Sequence, residues 1–352
     1  MPTPSPAAFA SSLPANSRIG RFSIIRELGR GTAGCVYLAH DPVIDRDVAI
    51  KTFNPRLSLA EKARFEQHFI NEARAAGRLS HPHIVTIHEA SSEGGVTYLA
   101  MEYIEGKELH RALANGRRFS ADETATIAWK LASALHHAHQ RGVIHRDIKP
   151  SNIFLADEDQ PKLIDFGIAR APNRLADRLS PQYEPYTMVR DNQLLGTPHY
   201  MSPEQSAGKP VDHRTDIYSL GTVMFELLTG RTPFQSERTD KLLQQIIYKA
   251  APSPRDIDSR VPEGLAVIVE KAMHKRPEKR YHDAGEMALD IKRYLLKEKR
   301  ARQRSREPLV LDEAPSDQGI SAHGVRMRGM AIAVAAIAAV CMMTAAGLLL
   351  LR

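Results

Sequence analysis

The residue pattern predicts an α+β chain of two lobes, a small β-rich one followed by a larger α-helical one, with a single membrane helix at the C-terminal end. Three observations carry this. Strand-type alternation dominates residues 21–104, a three-and-four apolar recurrence dominates 105–297, and Met330–Leu351 runs 22 residues without a charge. The 352 residues leave ample chain for a large core. With 43% apolar and 25% charged residues the composition is that of a globular protein and excludes bulk disorder. Only Cys35 and Cys341 are cysteines, which excludes a disulfide scaffold and fits a reducing compartment. The net charge of +7 is local: residues 292–306 hold eight Lys and Arg against one Glu, which is +7 by itself. The main body is balanced, so a nucleic-acid-binding face is not predicted.

Taken in order, residues 1–20 are rich in Pro, Ser and Ala and read as disordered, without the charge and apolar pattern of a secretory signal. A strand begins at Phe22–Ile25 and is interrupted by glycines; Cys35–Ala39 and Asp47–Lys51 read as two more. A helix is predicted from about Ala60 to Leu79, with Ser58 and Glu61 as a capping box. Short strands follow near Ile84–Glu89 and Val96–Tyr103. Beyond residue 105, Ile127, Leu131, Ala134, Leu135 and Ala138 give one apolar helix face, and 214–229, 239–249, 263–274 and 283–298 read as further helices. Residues 298–329 read as a basic juxtamembrane linker. The segment 330–351, at 1.5 Å per residue, makes about 33 Å of helix, enough for a bilayer core.

Four motifs carry chemistry. Gly29-Arg30-Gly31-Thr32-Ala33-Gly34-Cys35-Val36 lies between two strand-like runs, which suits a β-hairpin flap whose backbone N–H groups close over phosphates; no G-K-[ST] ending makes it a Walker loop. Val48-Ala49-Ile50-Lys51 ends a strand in a cation able to meet phosphate oxygens, with Glu72 as its natural partner. His145-Arg146-Asp147-Ile148-Lys149-Pro150-Ser151-Asn152 is followed thirteen residues later by Asp165-Phe166-Gly167. One acid and an amide supply oxygen ligands for Mg²⁺, and a second acid near a hydroxyl accepts its proton. Singly, each of these residues is more often a turn, a snorkelling charge or a solvated helix residue; together and in order they are not.

In that order the motifs resemble the eukaryotic-type (Hanks-type) serine/threonine protein kinases, of the membrane-anchored bacterial kind. The likeness covers residues 21–297 and includes Gly196–Glu204, Asp216–Gly221 and Arg280. It implies the bilobal protein kinase fold, with lobes 21–104 and 105–297, and an enzyme that moves the γ-phosphate of ATP to protein Ser or Thr with Mg²⁺ or Mn²⁺. It implies that Lys51 holds phosphates and pairs with Glu72, that Asp147 is the catalytic base that orients and deprotonates the attacking hydroxyl, that Lys149 meets the γ-phosphate, and that Asn152 and Asp165 bind metal. The adenine slot is implied between Val36 and Ala49 on one side and Phe154 on the other, with Leu28 at its mouth, Met101 as gatekeeper, and backbone groups of Glu102 and Ile104 on the adenine edge. Glu204 would pair with Arg280, and Asp216 would brace the catalytic loop.

Two features depart from the pattern: an Ala33 flap tip where relatives often carry an aromatic, and a 40-residue loop from Asp165 to Glu204. Arg146 implies a phosphate acceptor on that loop, for which Thr187, or a built-in Asp191, is the candidate. The alternative to an active enzyme is a membrane-anchored pseudokinase scaffold. Arg326 and Arg328 precede the span and only Arg352 follows, so the kinase-like lobes are expected on the cytoplasmic side, with lipid as a partner. Ala331, Ala335, Ala339 and Gly347 form a small-residue stripe that suits a homodimer.

Overall fold

Strand alternation in the first lobe resolves into one twisted sheet because both of its faces are covered. The computed structural model describes residues 17–31, 34–53, 59–93, 95–166, 189–190, 193–194 and 198–306. Its strands β1 (Arg18–Ile19), β2 (Phe22–Gly31), β3 (Gly34–Asp41), β4 (Arg46–Phe53), β5 (Ile87–Glu93) and β6 (Val96–Glu102) pair antiparallel in the order β1-β2-β3-β4-β6-β5. Val48 and Ile50 point into a small cluster with Phe22, Tyr37 and Tyr98, while Ala49 and Phe53 join the main core. Since side chains alternate, Lys51 shares the face of Ala49 and therefore turns toward the second lobe. Helix α1 (Leu59–Ala76) packs on that face through Phe69, Ala73 and Ala76, with the Phe69 ring 4.8 Å from that of Phe53.

Three expectations shift. Order begins before residue 21: Ile19 pairs with Phe22 and is buried, because one apolar side chain next to a sheet edge outweighs a disorder-prone composition. The strand expected from Ile84 starts instead at Ile87. Ile84 forms an isolated parallel bridge with Leu163, and the Val85 N–H donates to the Leu163 carbonyl at 2.9 Å, so this stretch is tied to the other lobe. The final helix outruns residue 297, as described next.

The second lobe opens with β7 (Lys107–Glu108), α2 (Leu109–Ala114) and α3 (Ala121–His139). Strands β8 (Ile153–Ala156) and β9 (Gln160–Leu163) complete a β7-β8-β9 sheet, and β10 (Val189–Arg190) pairs with β11 (Gln193–Leu194). Then come α4 (Pro203–Ser206), α5 (Arg214–Thr229), α6 (Thr239–Tyr248), α7 (Pro254–Ile257), α8 (Glu263–Ala272) and α9 (Ala284–Arg306). Helix α5 is buried on nearly every side and forms the axis of the lobe. It meets α8 closely at Gly221, where a Cβ would lie 2.8 Å from the Ala272 Cβ. Helix α9 continues into the first part of the expected linker, as far as Arg306, and the Arg302–Asp122 ion pair ties it to α3.

Among the described residues no helix is long and apolar enough to cross a membrane. The expected span 330–351 lies outside the described residues. So do Ser58, the flap tip Thr32 and Ala33, Gly167, Thr187, Asp191, Gly196 and Thr197.

Candidate active site

The site lies where β4, β9 and the loop between α3 and β8 converge. The Lys51 Nζ donates to the Asp165 Oδ2 at 2.5 Å, bringing together two residues 114 apart in sequence. Asp165 follows β9 with φ of 59°, in the left-handed region, so the chain turns sharply there and presents the carboxylate to Lys51. The expected Lys51–Glu72 pair is not the one formed. Glu72 is half-buried on α1, whose position is set by Phe69, Ala73 and Ala76 and not by a charge. The nearby Asp165 takes the ammonium instead.

Asp147 gathers two donors on one oxygen. The Lys149 Nζ lies 3.0 Å from Oδ2, and the Asn152 Nδ2 donates to the same Oδ2 at 3.0 Å and to the Asp147 carbonyl at 2.8 Å. The Pro150–Asn152 3₁₀ turn makes this local: one tight turn brings position 152 back over 147. The loop itself hangs from buried Asp216 on α5. That carboxylate accepts the backbone N–H groups of His145 at 2.8 Å and Arg146 at 2.7 Å, and the His139 Nε2 at 2.8 Å. Burial alone would raise the Asp216 pKa, but the His139 hydrogen bond and the neighbouring histidines and N–H groups outweigh it and lower the value. Arg146 sits at φ of 65°, strain that this double anchor holds in place. Fully buried His145 is pushed below the ordinary histidine range by desolvation. Its partners agree with a neutral ring: Nε2 donates to the Ile164 carbonyl at 2.9 Å and Nδ1 accepts from the Asp147 N–H at 3.3 Å. The Phe166 ring, 4.6 Å away, covers it.

Of the expected slot residues, Ala49 and Met101 are buried and directly paired across β4 and β6, and Leu28, Val36 and Ile104 pack against the same cluster. Phe154 lies half-buried on β8, paired with Glu108 and Lys162. Glu102 does more than its backbone suggested. Its Oε1 accepts from the Lys162 Nζ at 2.5 Å and its Oε2 from the Thr86 N–H at 3.2 Å, clamping the crossover between lobes. Its own N–H is already committed to the Thr86 carbonyl at 2.9 Å. In the flap, Gly29 pairs with Val36, Arg30 with Cys35 and Gly31 with Gly34. Gly34 cannot be replaced cheaply: a Cβ there would fall 1.8 Å from the Thr52 carbonyl oxygen. The Cys35 N–H donates to the Thr52 Oγ1 at 3.2 Å, pinning the second flap strand. Arg30 is drawn to Glu27, with its Nη2 2.9 Å from Oε2.

Known proteins resemble this chain in sequence and fold. The protein kinase domain model matches residues 22–290, which holds every side chain just described. The chain belongs to the protein kinase family. Serine/threonine-protein kinase PrkC of Bacillus subtilis is 38% identical over 273 residues, 78% of this chain and 40% of that protein. A probable serine/threonine-protein kinase, PknB of Corynebacterium glutamicum, is 37% identical over 281 residues, 78% of this chain and 42% of its own. The chain thus spans about two-fifths of the curated relatives it matches. Among solved structures, the PknI kinase domain of Mycobacterium tuberculosis aligns with a TM-score of 0.62 and 26% identity over 80% of this chain and 99% of that one. The bilobal kinase fold expected from the sequence is therefore the one present.

Within this kinase domain the Pro198–Glu204 segment is fastened at both ends. Ser219 Oγ on α5 donates to the Tyr200 carbonyl at 2.7 Å, and Tyr200 OH donates to Glu226 at 2.6 Å. Arg280 grips Glu204 with two nitrogens, each at 2.7 Å, with its own side chain fully buried. Gln205 then donates to the Arg146 carbonyl at 2.9 Å, which the sequence reading missed because a lone Gln carries no motif.

Proposed function

We propose that the chain is a serine/threonine protein kinase that transfers the γ-phosphate of ATP to protein hydroxyls, phosphorylates itself, and is tethered through residues 330–351 to the cytoplasmic face of a membrane. The observation that supports this best is the contact set Asp147–Lys149–Asn152 set beside Lys51–Asp165. In this reading ATP lies between the glycine flap and Phe154, with its phosphates toward Lys51. The donor chemistry suits Mg²⁺ or Mn²⁺: Asp165 offers a carboxylate, and Asn152, whose NH₂ group is turned to Asp147, offers its amide oxygen. The ion, when bound, neutralises charge on the phosphates. The Asp147 carboxylate, oriented through its Oδ2, accepts the proton of the attacking substrate hydroxyl. Lys149 places a cation beside the oxygens being transferred. Lys51 leaves Asp165 for the phosphates, and a shift of α1 brings Glu72 to it.

The test is phosphate transfer from radiolabelled ATP by the full chain with Mg²⁺ or Mn²⁺, to itself and to a general Ser/Thr substrate. Asp147→Asn and Lys51→Met are each expected to lower transfer by about a hundredfold or more with circular dichroism unchanged. Near-wild-type turnover in folded Asp147→Asn overturns the role given to Asp147, and no transfer by the folded wild-type chain overturns the reading and leaves a non-catalytic scaffold.

A further inference from the structure

The outer face of α9 presents leucines to water in a way that the fold does not use. Helix α9 packs inward through Ala284, Met287, Ala288, Ile291 and Tyr294. Leu289 and Leu296 stand two helical turns apart on the opposite side, 56% and 46% exposed. Lys292, Arg293, Lys299 and Arg300 flank them at helical spacing, and all four are exposed. The acids of the helix offset only part of this stripe. Asp290 pairs with Arg293 at 2.9 Å, whereas Glu286 is taken by Lys271 at 2.8 Å and Glu298 sits half-buried on the inner side of the helix, so the net positive charge of the stripe rests on Lys292, Lys299 and Arg300. A helix face of this kind, leucines bordered by Lys and Arg, suits the boundary of an anionic bilayer: the apolar tips enter the headgroup region and the cations meet lipid phosphates.

We propose that the outer face of α9, centred on Leu289 and Leu296 with Lys292, Arg293, Lys299 and Arg300, docks the kinase domain flat on an anionic membrane surface. Charge complementarity selects this occupant, and so does chain length. Only residues 307–329 separate α9 from the uncharged stretch at 330, so a chain anchored there keeps the helix within reach of the headgroups. The proposal rests on the membrane reading for its setting, but its contact is separate from the span.

The experiment uses the full chain with vesicles of pure phosphatidylcholine or with about one-third phosphatidylglycerol. Leu296→Cys is alkylated by a water-soluble maleimide, and the modified peptide is quantified by mass. Tyr248→Cys, at an exposed position on α6, is the control. Alkylation at 296 is expected to slow at least about fivefold in anionic relative to neutral vesicles, with 248 unchanged, and high salt is expected to restore it. Reversal of all four cations to Glu is expected to abolish the protection. Equal rates at 296 in both lipids overturn the proposal. So does protection that persists in the four-Glu variant, which would mean that another protein or a second copy covers the face. Carbonate-resistant association with neutral vesicles reads the span on its own: a chain that fails there yet is protected at 296 by anionic lipid loses the tether and keeps the docking face.

Discussion

His81 shows how much a single side chain reports about the joint between the lobes. It sits between α1 and β5, accepts the His83 N–H on Nδ1 at 3.2 Å, and has the His83 and His137 rings 5.6 and 5.2 Å away. Burial first, then these neighbouring imidazoles, push its pKa from 6.5 down to about 4. A depressed folded pKa means that the unfolded chain binds the proton more readily. The contribution to stability is therefore complete above 6.5 and is lost as pH falls toward about 4. Buried His145 adds in the same direction. Urea unfolding midpoints are expected to fall across that window, and His81→Gln is expected to make the fall shallower without removing it. An unchanged slope in the variant means that His81 is not held neutral. Site residues were legible at this scale wherever chemistry and spacing sat in one motif, as in His145–Asn152. The Lys51–Asp165 pair was not, since its formation depends on where the packing of Phe69 and Ala73 leaves α1.

At the scale of elements, legibility followed length. Helix α5, with an apolar surface over 16 residues, begins and ends where its pattern predicts. Strands β7, β8 and β9, of two to four residues, escaped notice because alternation needs more positions than Lys107–Glu108 or Gln160–Leu163 provide. Tertiary partners make them. The start of α3 is such a junction. Ser120 Oγ accepts the Glu123 N–H at 3.2 Å, Glu123 accepts the Ser120 N–H at 2.8 Å, and Arg117 bridges Glu123 to Asp159 in the turn between β8 and β9. Ser120→Ala removes one half of this capping box, and a loss of about 1 kcal/mol is expected in chemical denaturation, with Ser120→Asp restoring most of it. Equal stability of the Ala variant would show that Arg117 and Glu123 hold the helix end unaided.

At the scale of the whole molecule, the Glu204–Arg280 pair joins the candidate substrate segment to the chain ahead of α9. Arg280 also donates to the carbonyls of His274 at 2.7 Å, Arg214 at 3.1 Å and Lys275 at 3.2 Å, so most of its donors are satisfied inside the protein. The two partners should therefore respond unequally. Arg280→Met strands a buried carboxylate with no cation, and a loss of about 3–5 kcal/mol is expected. Glu204→Met leaves Arg280 three carbonyl acceptors, and about 1–3 kcal/mol is expected. The double Met variant has no buried charge to strand, so it should be more stable than Arg280→Met alone, giving a coupling well outside additivity. Phosphate transfer should not follow stability back. Without the pair, the Pro198–Glu204 segment keeps Ser219 and Tyr200 but loses its fixed end, and with it the register of the Gln205 bond to the Arg146 carbonyl. Denaturation of the three variants, with transfer to a protein substrate measured well below each melting point, decides the matter. Strict additivity would mean that the pair contributes two independent packing terms. Full transfer in the folded double variant would mean that the pair serves stability and leaves substrate positioning to α5.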